Sequence, residues 1–314
     1  MELVKGIQKL THSVRHPVVT IGNFDGVHLG HRQILETAVQ SAKARGGQCI
    51  AYTFRPHPQV ALRPGKAPQL LSTYDEKLEL IASLGVDFIV EEPFSREFSE
   101  TEPSEFFSDI LLHRLSTEVI VVGYDFAFGR ERHGHLDNLR KFCQNSGVQL
   151  IVVQPHREHS EVVSSSRIRE YLLSGEIAEA NRLLGRPFSY RGVVVKGEGR
   201  GRKLGFPTAN LKLENKLTLP YGVYATRAIL NGEYYSSVTN VGIRPTFQHE
   251  GDPELPALVE THLLDTTLDL YGSTLEVQFF TRLREERRFS DIEELKRQIS
   301  IDADQSRSYL NSVS

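Results

Sequence analysis

Residues 17–31 read Pro-Val-Val-Thr-Ile-Gly-Asn-Phe-Asp-Gly-Val-His-Leu-Gly-His, an apolar run followed by a glycine-containing loop and two histidines. The first part of this stretch, residues 17–21, is apolar and rich in β-branched side chains, which is typical of a strand buried on both faces. A loop with two glycines follows at residues 22–27, and a helix-period segment begins at His28 and continues to residue 44. The stretch therefore predicts a strand, a loop and a helix in succession.

The same alternation continues through the first half of the chain. Four further β-type runs occur at residues 48–54, 86–90, 118–122 and 148–153, and three further helix-period segments at residues 74–84, 104–113 and 135–145. Strands that alternate with helices predict a Rossmann-like α/β domain with a parallel sheet. Ligands of such sheets bind where the strands end, so residues 22–27 are a candidate site.

The second half has a different pattern. Short runs separated by turn residues occur at residues 191–196, 222–230, 233–241, 258–264 and 275–280. They predict a mainly antiparallel β-barrel, followed by a C-terminal helix over residues 291–310 with Ser290 as its N-cap. We place the boundary near residues 185–188, which gives domains of 1–185 and 186–314.

The composition excludes several classes of protein. A chain of 314 residues that is 39% hydrophobic has enough apolar surface for two ordinary cores. A net charge of −3 with both signs interspersed gives no support to nucleic-acid or membrane binding. Neither a signal peptide nor a membrane span is visible, and the two cysteines, Cys49 and Cys143, predict no disulfide framework. We therefore expect a cytoplasmic protein.

His28 and His31 lie three residues apart at the predicted helix start, so they share one helix face. Free backbone N–H groups and the helix dipole favour a phosphate there, and two imidazoles can donate hydrogen bonds to a phosphoryl group that gains charge. Asp25 could orient a histidine, bind Mg²⁺ or cap the helix. The alternative is an ordinary helix start with two solvated histidines; a zinc site is less favoured because the His-Glu-x-x-His pattern is absent.

A second candidate site opens the β domain at Val195-Lys-Gly-Glu-Gly-Arg-Gly-Arg-Lys-Leu-Gly-Phe-Pro-Thr-Ala-Asn-Leu211. The glycines, interleaved with Arg200, Arg202 and Lys203, predict a cationic loop that covers phosphates with backbone N–H groups. Thr208 and Asn210 offer oxygen ligands that suit Mg²⁺. The alternative is a flexible hairpin loop with a Pro-Thr turn.

The histidine stretch resembles the His-x-Gly-His signature of the nucleotidylyltransferase superfamily, and its surroundings resemble the FAD synthetase module of bacterial bifunctional riboflavin kinase/FMN adenylyltransferases. A second signature of that superfamily is similar to Val163-Ser-Ser-Ser-Arg-Ile-Arg169, although members more often have threonine at Ser166. Alone, that segment fits a serine N-cap with surface arginines. The resemblance implies catalytic roles for His28, His31 and Arg169. It also implies ATP contacts from Gly22, Asn23, Phe24, Asp25, Gly30, Ser164, Ser165, Ser166 and Arg169.

Two more stretches look like this module, Phe54-Arg-Pro-His-Pro58 and Val122-Gly-Tyr-Asp-Phe-Ala-Phe-Gly129. In the family these loops line the FMN and ATP pocket, which implies ligand contacts for His57, Asp125, Phe126 and Phe128. From the residues alone, Pro-His-Pro is equally a rigid turn, and the two phenylalanines are equally core residues.

Leu204-Gly-Phe-Pro-Thr-Ala-Asn-Leu211 resembles the riboflavin kinase signature, and four later motifs agree with it in order. They are Tyr221-Gly-Val-Tyr224, Asn240-Val-Gly-Ile-Arg-Pro-Thr-Phe247, Val259-Glu-Thr-His-Leu-Leu-Asp265 and Leu283-Arg-Glu-Glu-Arg-Arg-Phe289. The resemblance implies that Glu260 is the catalytic base and that Mg²⁺ is held by Thr208 and Asn210. It further implies ATP or flavin contacts from Gly199, Gly201, Lys203, Gly205, Pro207, Thr208, Asn210 and Arg284. Glu260 could otherwise face outward on its strand, and Arg284 could pair with a neighbouring glutamate.

The resemblance covers nearly the whole chain and implies two reactions in one protein. The barrel would phosphorylate riboflavin to FMN, and the N-terminal domain would transfer AMP from a second ATP to FMN, giving FAD and pyrophosphate. We expect Mg²⁺ as the cofactor, ATP as co-substrate, no tightly bound redox cofactor, and a monomer or weak homo-oligomer. Two rivals are an adenylyltransferase with another acceptor and a flavin-binding regulator without turnover.

Overall fold

A six-stranded parallel sheet organises the first half of the chain. The computed structural model describes residues 1–197, 199, 201, 204–213, 216–242, 258–266 and 268–313. The sheet order is β1-β4-β3-β2-β5-β8, with every neighbouring pair parallel. The strands are β1 Glu2–Lys5, β2 Val18–Ile21, β3 Cys49–Arg55, β4 Phe88–Pro93, β5 Val119–Gly123 and β8 Gln149–Val153. The predicted α/β class is confirmed.

Helices and two small hairpins connect these strands. The helices are α1 Leu29–Ala44, α2 Pro58–Leu62, α3 Tyr74–Ser83, α4 Arg96–Ser99, α5 Pro103–Glu105, a π-helix Phe106–Arg114 and α6 Leu136–Ser146, with 3₁₀ turns at Ile7–Lys9 and Arg130–Arg132. The hairpins pair β6 Ala127–Phe128 with β7 Gly134–His135, and β9 Arg157–Glu158 with β10 Glu161–Val162. The helix predicted over residues 104–113 is therefore present, but most of it has π geometry.

The order in which successive strands are added to the sheet reverses beside β2. From β2 the chain runs to β3 and β4 on one side, and later returns to β5 and β8 on the other. Adjacent strand-to-helix connections diverge at such a reversal and leave a crevice at the carboxyl ends of the strands. The loop of residues 22–27 lies at this position.

A closed antiparallel barrel forms the second half, in the order β11-β12-β15-β14-β13-β16. It is preceded by α7 Ser165–Ser174 and α8 Ile177–Leu184 and followed by α9 Ile292–Ser312. Its strands are β11 Phe188–Val195, β12 Ala209–Leu213, β13 Gly222–Leu230, β14 Glu233–Gly242, β15 Leu258–Leu263 and β16 Thr274–Glu285. Tyr190, Tyr224 and Phe279 fill its interior, with Phe279 edge-on to both tyrosines at ring distances of 5.0 and 5.4 Å.

One strand is missing from the sequence prediction, and one predicted helix cap needs correction. The amino terminus was not predicted to form a strand, yet β1 pairs with β4 at the sheet edge; the pattern is weak because Val4 is the one buried residue of the four. Ser290 is not the cap of the last helix, because Asp291 accepts the Glu294 N–H at 2.8 Å instead. Ser290 supports that turn through a 2.8 Å hydrogen bond to the Glu294 carboxylate.

The chain forms two compact units, Met1–Ser165 and Ser166–Ser314. The predicted boundary at residues 185–188 lies at the end of α8, whereas the contacts of the structure place α8 in the second unit. The reason is Asn181, whose side chain donates to the Phe279 carbonyl at 2.8 Å and accepts from the Phe188 N–H at 2.7 Å. None of the described helices is long and apolar enough to cross a membrane.

Candidate active sites

The loop between β2 and α1 has an unusual backbone. Phe24, Gly26 and Val27 have φ angles of 50°, 78° and 37°, a region that costs non-glycine residues energy. Phe24 and Val27 are held there by burial, at 1% and 2% exposure. The loop is therefore fixed in one shape and presents the helix start that follows it.

His28 is the N-cap of α1. Its Nδ1 accepts the His31 backbone N–H at 3.3 Å, so the ring hydrogen of the neutral form must lie on Nε2. The His28 and His31 rings stack at 3.6 Å with 17° between their planes, and Phe24 contacts the His31 ring edge-on at 5.5 Å. The pair is thus a packed, oriented unit at the positive end of a 16-residue helix, unlike two solvated histidines.

Asp25 binds the backbone of the segment that contains Leu71 and Ser72. Its carboxylate accepts the backbone N–H groups of Leu71, at 3.0 and 3.2 Å, and Ser72, at 3.3 Å. The Gly26 N–H donates to the Ser72 hydroxyl at 3.2 Å, which completes the connection. Asp25 is therefore not the cap of α1, and among the described residues no cluster of three or more His, Cys, Asp or Glu side chains could hold a metal.

The segment of residues 163–169 contacts the loop of residues 22–27. The Ser165 hydroxyl donates to the Asp25 carbonyl at 3.1 Å, and a Cβ on Gly30 would lie 3.6 Å from the Val163 carbonyl oxygen. Ser164 directly precedes α7, and Ser166 and Arg169 lie three residues apart on it and so share a face. Within the first unit, Val163 and Ser165 thus lie beside the loop of residues 22–27.

The end of β3 carries His57. It caps α2 by accepting the Gln59 N–H at 3.2 Å, and its own backbone N–H donates to the Tyr74 hydroxyl at 2.9 Å. At 8% exposure it is largely buried. Pro-His-Pro thus begins a short helix, with His57 as its N-cap and Pro58 at its first position, just beyond the carboxyl end of β3.

The end of β5 carries the aromatic candidates. Phe128 is buried and packs in the core with Phe106 at 5.7 Å, so core packing explains it. Phe126 is half-buried and stacks on Phe128 at 5.4 Å, while Asp125 is exposed. A flat ligand could therefore reach Phe126 more readily than Phe128.

A cavity of about 660 Å³ lies on the outer face of the barrel, between its strands and α9, which contributes Leu295, Ile299 and Asp302 to the lining. Among the described residues, those with predicted roles that line it are Gly199, Gly201, Pro207, Thr208, Asn210, Glu260 and Arg284. Gly205 has a φ of 91° and is not among the lining residues. Lys203, with Arg200, Arg202 and residues 243–247 of the third kinase motif, lies outside the described residues.

Three polar side chains form a row across neighbouring strands of the barrel. Asn210 on β12 is opposite Glu260 on β15, and Glu260 is opposite Asn240 on β14. All three line the cavity, so Glu260 is directed into a site. Gly197 makes room for the row, because a Cβ there would lie 2.3 Å from the Asn210 amide nitrogen. Asn240 was not predicted as a site residue, although it lies in a quoted motif and on the register of Glu260.

Arg284 on β16 forms an ion pair with Asp302 on α9. Its guanidinium contacts the Asp302 carboxylate of α9 through Nε, at 3.0 and 3.1 Å, and Nη2, at 2.8 Å. Asp302 is 1% exposed and also accepts from Gln298 at 2.8 Å. The sequence offered a neighbouring glutamate as the alternative partner of Arg284; the partner in the structure is this helix aspartate.

Each half of the chain matches the sequence model of a known family. The sequence model of the FAD synthetase family matches residues 10–167, and that of the riboflavin kinase family matches residues 184–310. The chain belongs to the family of bifunctional riboflavin kinase/FMN adenylyltransferases. The two family matches leave α8 largely between them, near both the predicted boundary and the division of the compact units.

Relatives of this family match over almost the full chain. The bifunctional riboflavin kinase/FMN adenylyltransferase of Bacillus subtilis is 35% identical over 94% of this chain and 93% of its own length, and that of Escherichia coli K12 is 36% identical over 96% of both. A solved structure from Streptococcus pneumoniae, described as a macrolide-efflux protein, superposes with a TM-score of 0.86 at 29% identity. It covers 97% of this chain and 98% of its own. The fold and its domain order are thus shared along the whole length.

Proposed function

We propose that this chain makes FAD from riboflavin in two ATP-dependent steps, one in each domain. The observation that carries the proposal is the presence of two separate sites in one chain of this family. One is the stacked histidine pair at the switch point of the sheet, and the other is the cavity crossed by the row Asn210, Glu260 and Asn240.

In the barrel, Glu260 accepts the proton of the terminal ribityl hydroxyl as its oxygen attacks the γ-phosphorus of ATP, and ADP leaves. Strand register places Glu260 between Asn210 and Asn240, which fixes the position of the base. Thr208 and Asn210 suit Mg²⁺, since both line the cavity with oxygen donors and Asn210 is held at 7% exposure. Bound there, Mg²⁺ would neutralise phosphate charge.

In the N-terminal domain, a phosphate oxygen of FMN attacks the α-phosphorus of ATP, and the bond to pyrophosphate breaks. His28 and His31 donate hydrogen bonds to the phosphoryl oxygens that gain charge, assisted by the start of α1. Ser164, Ser165 and Ser166 hold the departing phosphates, and Arg169 neutralises them. No covalent intermediate with the protein is needed, because positioning and electrostatics lower the barrier.

The test is an assay with riboflavin, ATP and Mg²⁺ in which FMN and FAD are separated by chromatography. We expect both products, with His31→Ala forming FMN but no FAD. With FMN supplied, Glu260→Ala should form FAD although it makes no FMN from riboflavin. The exposed residues His113 and Glu233 provide matched controls as alanine variants.

Absence of both products from the wild-type protein, with oxidised and with reduced flavin, would refute the proposal. Loss of both activities in one folded variant would refute the assignment of two sites. Formation of a product from another acceptor, such as phosphopantetheine or nicotinamide mononucleotide, in preference to FMN would favour the rival adenylyltransferase. We further propose a cytoplasmic monomer or weak homo-oligomer, which light scattering and cell fractionation would test.

A further inference from the structure

Lys77 is a buried lysine that the two reactions leave unexplained. It lies on α3, is 4% exposed, and donates from Nζ to the Thr53 hydroxyl and to the Phe54 carbonyl, both at 3.0 Å. Lysine is seldom buried because the ammonium loses its hydration, so a buried lysine with two directed hydrogen bonds calls for a physical reason.

The contacts of Lys77 join two loops. Thr53 passes the contact on, since its hydroxyl donates to the Asn23 carbonyl at 3.3 Å. Asn23 belongs to residues 22–27, which we call the ATP loop, and Phe54 begins residues 54–58, which we call the FMN loop. One ammonium group is therefore linked to the backbone of both loops, directly to one and through a single hydroxyl to the other.

The charges around Lys77 come from four elements. Asp25 of the ATP loop and Glu91 of β4 attract the ammonium, whereas Arg55 of β3 repels it. On α3 itself, the Tyr74 ring lies 5.4 Å from Nζ, and Asp75 pairs with Arg55 at 3.4 Å. Burial outweighs the attraction and lowers the pKa of Lys77 to about 8. The charge of this contact is thus lost just above neutral pH.

We propose that Lys77 is a positioning residue for adenylyl transfer, which holds the ATP loop and the FMN loop at a fixed separation. The inference rests on the proposed function, because the two loops matter together only if FMN attacks ATP. In-line attack requires the phosphate oxygen of FMN and the α-phosphorus of ATP to be placed within a fraction of an ångström. A lysine that fixes the backbone of both loops would set that distance without touching either substrate.

The test compares Lys77→Met, Lys77→Arg and Thr53→Val with wild type, measuring FAD formation from FMN and FMN formation from riboflavin. A misplacement of 1 Å costs about 10²-fold in rate, so we expect Lys77→Met to lower kcat for FAD by about that factor while KM changes little. Thr53→Val keeps the shape and removes the hydroxyl, so about 10-fold is expected. FMN formation should be unchanged in all three. Lys43→Met, on the exposed face of α1, is the control.

The pH profile separates positioning from a merely structural role. Because its pKa is lowered, Lys77 is protonated below about pH 8 and neutral above. Wild-type kcat for FAD formation should therefore fall as the pH rises through about 8. Lys77→Arg stays charged, so it should keep more activity than Lys77→Met and its kcat should not fall near that pH. FMN formation uses the same ATP and Mg²⁺, so its profile serves as the control within the same chain.

Three results would overturn the inference: Lys77→Met with near wild-type kcat for FAD, a rise in KM with unchanged kcat, or a wild-type profile without the fall near pH 8. If Lys77→Met does not fold, Thr53→Val and the wild-type profile decide in the same way. Wild-type protein that forms no FAD at all would refute the proposed function instead, so the two failures are distinguishable.

Discussion

Replacing Asp302 with Asn tests how strongly α9 is held to the barrel. The Asp302 side chain is 2% exposed and that of Arg284 is 20% exposed, with their closest atoms 2.8 Å apart. The amide of Asn keeps one acceptor oxygen but directs an NH₂ group at the guanidinium. The variant therefore leaves a largely buried positive charge without its counter-ion.

The magnitude follows from this geometry. Removing one partner of a buried ion pair costs roughly 3–5 kcal/mol; the partial exposure of Arg284 and the remaining acceptor reduce this to about 2–3 kcal/mol. For a unit of about 150 residues, 1 kcal/mol corresponds to roughly 2–4 °C, so the Tm of the barrel should fall by about 4–12 °C. The matched control is Asp304→Asn on the same helix. That side chain is 78% exposed beside Arg307, and its loss should cost below about 1 kcal/mol.

The assay is differential scanning calorimetry with and without riboflavin. A ligand raises the unfolding temperature of the domain that binds it, so the transition that riboflavin shifts identifies the barrel. If Asp302→Asn lowers that transition no more than Asp304→Asn does, the ion pair does not hold the helix and the reasoning is wrong.

Three further outcomes are expected. Asp25→Ala leaves the N–H groups of Leu71 and Ser72 unsatisfied, which costs about 1–3 kcal/mol; calorimetry should show this loss, and FAD formation should fall while FMN formation persists. Gly197→Ala places a Cβ 2.3 Å from the Asn210 amide nitrogen and should lower FMN formation, while FAD formation from supplied FMN persists; unchanged FMN formation would contradict the crowding argument. EDTA should stop both product peaks and added Mg²⁺ should restore them; full activity in EDTA would exclude a metal requirement.

The sequence predicted well those elements whose burial leaves a regular pattern. β2 is buried at every position, and its apolar run together with the following glycines was enough to predict the first strand, loop and helix. β13 and β14 alternate or run apolar between clear turn residues and were predicted almost to their ends. Strand β1 has one buried residue, so no periodicity distinguishes it from a loop.

Contacts between distant residues could not be predicted in this way. Lys77 has the sequence pattern of an exposed helix lysine, and its burial follows only from how α3 packs on β3 and β4. Asp302 is likewise a polar residue on an amphipathic helix, until the barrel brings Arg284 to it. Asp25 could be predicted to be important, but its partners Leu71 and Ser72 lie 46 and 47 residues further along the chain, and no short-range signal connects them.

The row of Asn210, Glu260 and Asn240 divides the barrel into a fixed part and an adjustable part. Backbone hydrogen bonds between paired strands set the spacing of the three side chains, and a closed barrel has no free edge at which that spacing could relax. Accommodating a larger or differently substituted flavin must therefore fall to the loops around the cavity, such as the segment of Thr266, Leu268 and Tyr271. Substrate range can then be altered by exchanging loops, while the chemistry of phosphate transfer stays with the strands.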